Sequence, residues 1–310
     1  AAAAAASALP AGGSFDEAEF ADIKFGAYIS KGTSGSVFRA RWNGMHCAVK
    51  KFSPHDGDPE IMQSFRNELF LLKNLNHANL VRYFGAVADP KHPCIITELM
   101  VGSLSDLLYG KDKKNLPDEK WHDRRKLAVT SGIVNGVKFL HAKKVCHRDL
   151  KSPNVLYDKD LNIKLCDFAF STFSQQKMAS MKFESRVGTP AWMAPEVLNG
   201  DVYTLSADVY GLGVILWEMM TRDEPWAGTN PFAVAFKVVT ENERLDTKGL
   251  EPFWATLMSM CWARGPERPT IREVERALLL AKQDVLQGKS FAEGAGMPIA
   301  AVMPRAELLA

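Results

Sequence analysis

The chain contains no apolar run of membrane-spanning length. Its best candidate, Tyr210 to Met220, falls short of the roughly 18–20 residues a bilayer needs and runs directly into Thr221-Arg222-Asp223-Glu224. That stretch reads as a buried core helix. Cysteine is sparse too: five among 310 residues, scattered and without CxxC spacing. The scarcity excludes a disulfide framework and a cysteine-built zinc site, and it points to reduced thiols and a cytoplasmic setting. A formal net charge of +2 with no long basic block gives no reason to expect nucleic acid or an anionic membrane as a partner. The N-terminal alanine run lacks a basic flank and a bulky apolar core, so it is not a signal peptide. No internal repeat is evident, and the chain begins without Met, which leaves room for upstream regulatory domains.

What is present is enough for a sizeable core, at 46% apolar residues. Residues 1–19 and 288–310 are rich in Ala, Gly and Pro and are expected to be tails around a folded region over 20–287. The first part of that region reads as sheet. Val37 to Trp42 alternates, Asn43-Gly44 is a two-residue hairpin signal, and Met45 to Lys50 returns. Phe65, Glu68 and Leu72 then share one helix face, and Pro93 to Glu98 reads as a further strand. Beyond it helices dominate. Ile133, Val137 and Leu140 mark one, Val209 to Met220 another, and Thr270 with Glu273 forms a capping box at the start of the last. The expectation is an α+β fold of two lobes: a small β-rich lobe over about 20–98, a hinge over about 98–102, and a larger helical lobe over about 103–287, with a cleft at the junction.

The chemistry concentrates in His147-Arg148-Asp149-Leu150-Lys151-Ser152-Pro153-Asn154 and in Cys166-Asp167-Phe168-Ala169. Phosphoryl transfer from ATP needs a carboxylate to orient the acceptor hydroxyl, and an amide and a second carboxylate to hold Mg²⁺. Asp149 fits the first role and Asn154 with Asp167 the second, since Mg²⁺ favours hard oxygen ligands. Lys151 offers charge to the transferring group. Earlier in the chain, Gly32 and Gly35 allow backbone N–H groups to approach phosphate oxygens, although a plain hairpin turn reads equally well there. Lys50 ends an apolar strand, and Glu68 lies on an apolar helix face where an unpaired carboxylate is costly. Pairing the two would neutralise both and aim the ammonium at the α- and β-phosphates.

With these motifs in register, residues from about Ile23 to about Ala281 resemble a eukaryotic protein-kinase domain. Gly188 to Glu196, Asp208-Val209-Tyr210-Gly211 and Arg268 extend the match. The resemblance implies that adenine sits among Ile29, Val37, Ala48 and Leu156, bonded to the backbone of Glu98 and Met100, with Thr97 guarding the deeper pocket. It also implies a buried Glu196–Arg268 pair, and an Asp208 that holds the backbone at His147 and Arg148. Lys151-Ser152-Pro153-Asn154 and Cys261-Trp262 are similar to the tyrosine-kinase-like group of serine/threonine kinases, which includes the mixed-lineage kinases. Thr189 suits that specificity, and Trp192 would line the pocket for the residue after the acceptor. The implied activity is transfer from ATP to Ser or Thr hydroxyls of a protein substrate.

Arg148 leaves a charge for the activation segment to satisfy, and Ser174, Ser180 or Ser185 is expected to carry a phosphate that does so. Two positions depart from the family pattern: Ser30 stands for its first loop glycine and Ala169 for the glycine of Asp-Phe-Gly. They keep open an alternative, a nucleotide-binding pseudokinase scaffold. If the productive backbone needs φ > 0 at Ala169, an Ala169→Gly change should raise activity. Cys166, beside Asp167, is read either as a thiolate near the nucleotide or as an inert thiol.

Overall fold

The computed structural model describes residues 18–32, 35–53, 59–173, 190–293 and 299. They fall into two compact units, one containing the residues up to Leu69 and Arg82–Leu99, the other Phe70–Val81 and everything from Met100 on.

The first unit is built on a five-stranded antiparallel sheet of order β1-β2-β3-β5-β4. Its strands are β1 (Lys24–Lys31), β2 (Gly35–Trp42), β3 (Met45–Phe52), β4 (Tyr83–Val87) and β5 (Cys94–Glu98). Asn43 and Gly44 join β2 to β3 with φ of 49° and 78°. That double left-handed turn matches the right-handed twist of the strands it connects. Along β3, Cys47 and Val49 enter a core with Ile23, Trp42, Val87 and Ile96, so Ala48 and Lys50 lie on the opposite face. Helix α1 (Pro59–Asn74) buries Phe65, Glu68 and Leu72, as their spacing predicts. The Phe65 ring meets Phe52 edge-on at 5.3 Å, fixing the helix against β3. Strand β1 escapes the sequence reading because it is exposed along almost its whole length and shows no apolar alternation.

The second unit is mainly helical. Short β6 (Gly102–Ser103) leads into α2 (Leu104–Leu108), then α3 (Asp123–Ala142), and β7 (Val145–Cys146) opens the loop of interest. Strands β8 (Val155–Tyr157) and β9 (Ile163–Leu165) form a small sheet with β6, while β10 (Thr172–Phe173) pairs with β7. Helices α4 (Pro195–Leu198), α5 (Leu205–Thr221), α6 (Pro231–Val239), α7 (Pro252–Cys261) and α8 (Ile271–Leu286) follow. Helix α5 is buried nearly all round, which is why its sequence resembles a weak membrane span. The capping box is present: Thr270 N–H donates to the Glu273 carboxylate at 2.7 Å, and the Thr270 hydroxyl accepts from Glu273 N–H.

One boundary differs from the sequence reading, which ends the folded region at Gln287. Phe291 is fully buried, with its ring 5.0 Å from that of Phe253 and 4.8 Å from that of Trp254. Its N–H donates to Asp123 at 3.2 Å, so the fold is anchored as far as Glu293. Glycines and prolines interrupt any regular pattern there and hide the single aromatic anchor.

Candidate active site

In the first unit the strand register gathers the residues expected around a nucleotide. Val37 lies directly opposite Lys50, and Ala48 opposite Thr97. Directly paired residues point the same way and alternate residues repeat, so Val37, Ala48, Lys50 and Thr97 share one sheet face. Lys50 Nζ lies 2.8 Å from Glu68 Oε2, and the two side chains are only 11% and 5% exposed. The ammonium also sits 5.2 Å from the centre of the Phe52 ring. Glu98 is partly committed: its N–H donates to Arg82 O at 3.0 Å, and its carboxylate accepts from Arg82 N–H at 2.6 Å. Ile29 is on β1, and Gly32 N–H donates to Gly35 O at 2.8 Å. A Cβ on Gly35 would meet the Lys51 carbonyl at 2.4 Å, so packing on β3 alone demands glycine there.

In the second unit, Asp149 is buried and doubly held. Its Oδ2 lies 2.7 Å from Lys151 Nζ and accepts from Asn154 Nδ2 at 2.9 Å. The same Asn154 nitrogen donates to Asp149 O at 2.8 Å. With its nitrogen turned to Asp149, Asn154 has its amide oxygen as the remaining ligand atom. Asn154 O accepts from Cys166 N–H at 3.0 Å, which brings the two expected metal-holding segments together. Asp167 has φ of 62° and Arg148 of 69°, both left-handed. Ala169 is not among the residues of positive φ, so its methyl introduces no backbone strain, and the left-handed position is Asp167 instead. Met100 precedes β6, and Leu156 lies on its partner β8.

The loop is braced from beneath. His147 is fully buried; its Nδ1 accepts from Asp149 N–H at 3.4 Å while its Nε2 lies 3.1 Å from Cys166 O. A carbonyl only accepts, so this ring is the neutral Nε2–H tautomer. Asp208, at the start of α5, accepts from His147 N–H at 2.9 Å, Arg148 N–H at 3.0 Å and Tyr203 OH at 2.9 Å. His141 Nε2 is 2.9 Å from the same carboxylate. Burial pushes the Asp208 pKa up, but the hydrogen bond and charge of His141, with the bond from His147 N–H, outweigh it and hold the pKa below the ordinary value. The Arg148 guanidinium stacks 5.6 Å over Tyr203, and burial lowers its pKa. Glu196 and Arg268 pair as expected, at 2.5 Å and 2.8 Å.

A further carboxylate, Glu218, lies outside the sequence reading. It is fully buried and accepts from Tyr109 OH at 2.7 Å, Ser152 Oγ at 2.5 Å and Trp192 Nε1 at 2.8 Å. Burial pushes its pKa up to about 7. An acidic residue inside the apolar run of α5 was the available signal. Cys166 is half-buried, while the other four thiols are buried, and none of the five forms a disulfide. Ser174, Ser180, Ser185 and Thr189 lie outside the described residues.

This arrangement has a known family. The protein kinase domain model matches residues 23–278, and the chain belongs to that family. Among its relatives, "Serine/threonine-protein kinase CTR1" of Arabidopsis thaliana is 38% identical over 266 residues, covering 83% of this chain and 32% of that protein. "Probable serine/threonine-protein kinase SIS8" from the same plant is 38% identical over 262 residues, covering 83% and 25%. "Probable serine/threonine-protein kinase drkB" of Dictyostelium discoideum is also 38% identical, covering 81% and 36%. The chain thus spans about a quarter to just over a third of the length of these three relatives.

Proposed function

We propose that the chain is the catalytic domain of a serine/threonine protein kinase that uses ATP and Mg²⁺ to phosphorylate Ser or Thr hydroxyls of a protein. The observation that carries this reading is the Asp149 carboxylate held by Lys151 at 2.7 Å and by Asn154 at 2.9 Å. Bound Mg²⁺ would neutralise charge on the phosphates. Asn154 and Asp167 suit it as hard oxygen donors on segments joined by a backbone hydrogen bond. Asp149 orients the acceptor hydroxyl and takes its proton as the oxygen–phosphorus bond forms, while the bond from the γ-phosphorus to the bridging oxygen breaks and ADP leaves with that electron pair. Lys151 holds Asp149 and presents positive charge to the phosphoryl group. Lys50, fixed by Glu68, binds the α- and β-phosphates. Ile29, Gly32, Gly35, Val37, Ala48, Thr97, Glu98, Met100 and Leu156 take the nucleotide, and Trp192 takes the residue after the acceptor. One of Ser174, Ser180 and Ser185 carries a regulatory phosphate, and Thr189 favours a Ser or Thr acceptor.

The pseudokinase alternative rested chiefly on Ala169, and its unstrained φ removes that ground. Among the described residues no helix is long and apolar enough to cross a membrane. A cytoplasmic location is supported by five cysteines none of which forms a disulfide. Transfer of labelled phosphate from ATP to a basic protein tests the whole reading, with Asp149→Asn as control. Equal labelling by both proteins would overturn it.

A further inference from the structure

An ion pair alone is a loose way to hold an ammonium. Lysine carries a point charge on a flexible four-carbon stem, and a carboxylate attracts it from many directions. Only 11% of the Lys50 side chain is exposed, so its charge has also lost most of its hydration. A ring supplies the second support. Phe52 follows Lys50 by two residues on β3 and so points to the same sheet face. Its ring centre lies 5.2 Å from Lys50 Nζ, within the range over which the negative face of an aromatic ring attracts a cation. That attraction grows with desolvation, and Phe52 is fully buried.

Phe52 is itself firmly held. Its N–H donates to Pro93 O at 2.9 Å. A Cβ on Gly35 would come within 3.2 Å of its Cα, so β2 presses on the same residue. The Phe65 ring meets it at 5.3 Å and 75°. Phe65 and Glu68 are three residues apart on α1 and share a face, so strand and helix are joined by two rungs, one aromatic and one ionic.

We infer that Phe52 is a positioning residue for nucleotide binding: its ring face holds the Lys50 ammonium where Glu68 and the phosphates can share it. The inference rests on the kinase reading above. Ring and carboxylate act differently on the same charge. A second carboxylate would draw an N–H away from the phosphates and add negative charge beside them. The ring attracts the cation without a lone pair, so it does not compete with phosphate oxygens for the donors of the ammonium. Packing α1 against β3 would be served as well by leucine, which has no such face.

The test replaces Phe52 by singly, doubly and triply fluorinated phenylalanine, introduced by codon suppression. Fluorine withdraws electron density from the ring face and adds little bulk, so packing is kept while the attraction for the ammonium falls. KM for ATP and for a serine peptide, nucleotide affinity by titration, and thermal unfolding are measured for each protein. The ATP KM and the nucleotide dissociation constant are expected to rise step by step, by about three- to tenfold across the series, with the peptide KM within about twofold and the unfolding temperature unmoved. Phe52→Leu, which loses the ring and keeps an apolar side chain, should match the end of the series. With Lys50→Met the titrated affinity should start weaker and stay flat across the series, because no cation remains for the ring to hold. A flat series with Lys50 intact, an equal slope with Lys50→Met, or an unfolding temperature that falls in step with affinity would each overturn the inference. Asp149→Asn separates it from the reading beneath it. Transfer that survives Asp149→Asn overturns the kinase reading, whereas the titrated series in that variant still reports on Phe52.

Discussion

Both units hold a half-buried lysine beside a buried carboxylate, and they hold them differently. Lys50 and Glu68 meet between a strand and a helix, framed by the rings of Phe52 and Phe65. Lys151 and Asp149 meet inside one turn, where Asn154, His147 and Asp208 also fasten side chain and backbone. A pair between elements opens if the helix slides; a turn cross-linked through its own backbone has little to slide. Under the proposed function, the acceptor half of the chemistry is preorganised by local covalent neighbours, and the nucleotide half by tertiary packing. Substitutions can separate these two modes.

The largest effect is expected at Asp149. Asp149→Asn should lower transfer by about a thousandfold or more, because proton transfer and hydroxyl orientation fail together. Nucleotide affinity, measured by titration, should stay within about twofold. A parallel loss of affinity would mean that the two halves are not separable. Next comes Asp208→Ala, which strips the loop backbone of a buried acceptor and should cost about 3–5 kcal/mol of stability in chemical denaturation. A loss below about 1 kcal/mol would show that the local bonds suffice without α5.

Glu218 gives the comparison a pH axis. Its folded pKa, about 7, lies above the ordinary 4.5, with burial as the main cause and the charge of Glu224 adding to it. Between those values the folded state keeps a proton that the unfolded state has released. Stability from this group therefore falls as pH rises from 4.5 to about 7, by about 3 kcal/mol, and is flat above. Glu218→Gln should remove that slope, and unfolding curves at about pH 4.5 and about pH 7.5, near the two ends of the window, measure it. Identical slopes in both proteins would refute the assignment. In the first unit, Glu68→Gln weakens a charged hydrogen bond and should cost about 1.5–3 kcal/mol. There the loss should show chiefly as a raised ATP KM, with the peptide KM unmoved. The smallest effect is at Ala169. The expected gain from Ala169→Gly depended on a left-handed backbone that the structure does not have. The change should instead cost about 0.4–1 kcal/mol and leave activity within about twofold. A several-fold rise would show that the productive state turns this residue to positive φ.

Local signals in the sequence were reliable where one short segment determines the geometry. Asn43-Gly44, the Thr270–Glu273 box and the Asp149–Asn154 turn each form from neighbouring residues. The Lys50–Glu68 pair was legible because burial leaves an acid on an apolar face few alternatives. Glu218 was not, since its donors Tyr109, Ser152 and Trp192 come from three distant segments and no periodicity relates them. Strand β1 and Phe291 were missed for opposite reasons. The strand has no buried face to create alternation, and the phenylalanine is a lone apolar residue in a breaker-rich stretch.

Gly35 carries a final consequence. The Lys51 carbonyl occupies the space of any side chain there, so even alanine must push β2 away from β3. Val37, two residues on, faces Lys50 only while those strands stay in step. The glycine thus acts as a detent for strand alignment. A methyl at that position would displace Val37 from Lys50, and nucleotide affinity would suffer through strand alignment, apart from any loss of direct contact at Gly35 itself.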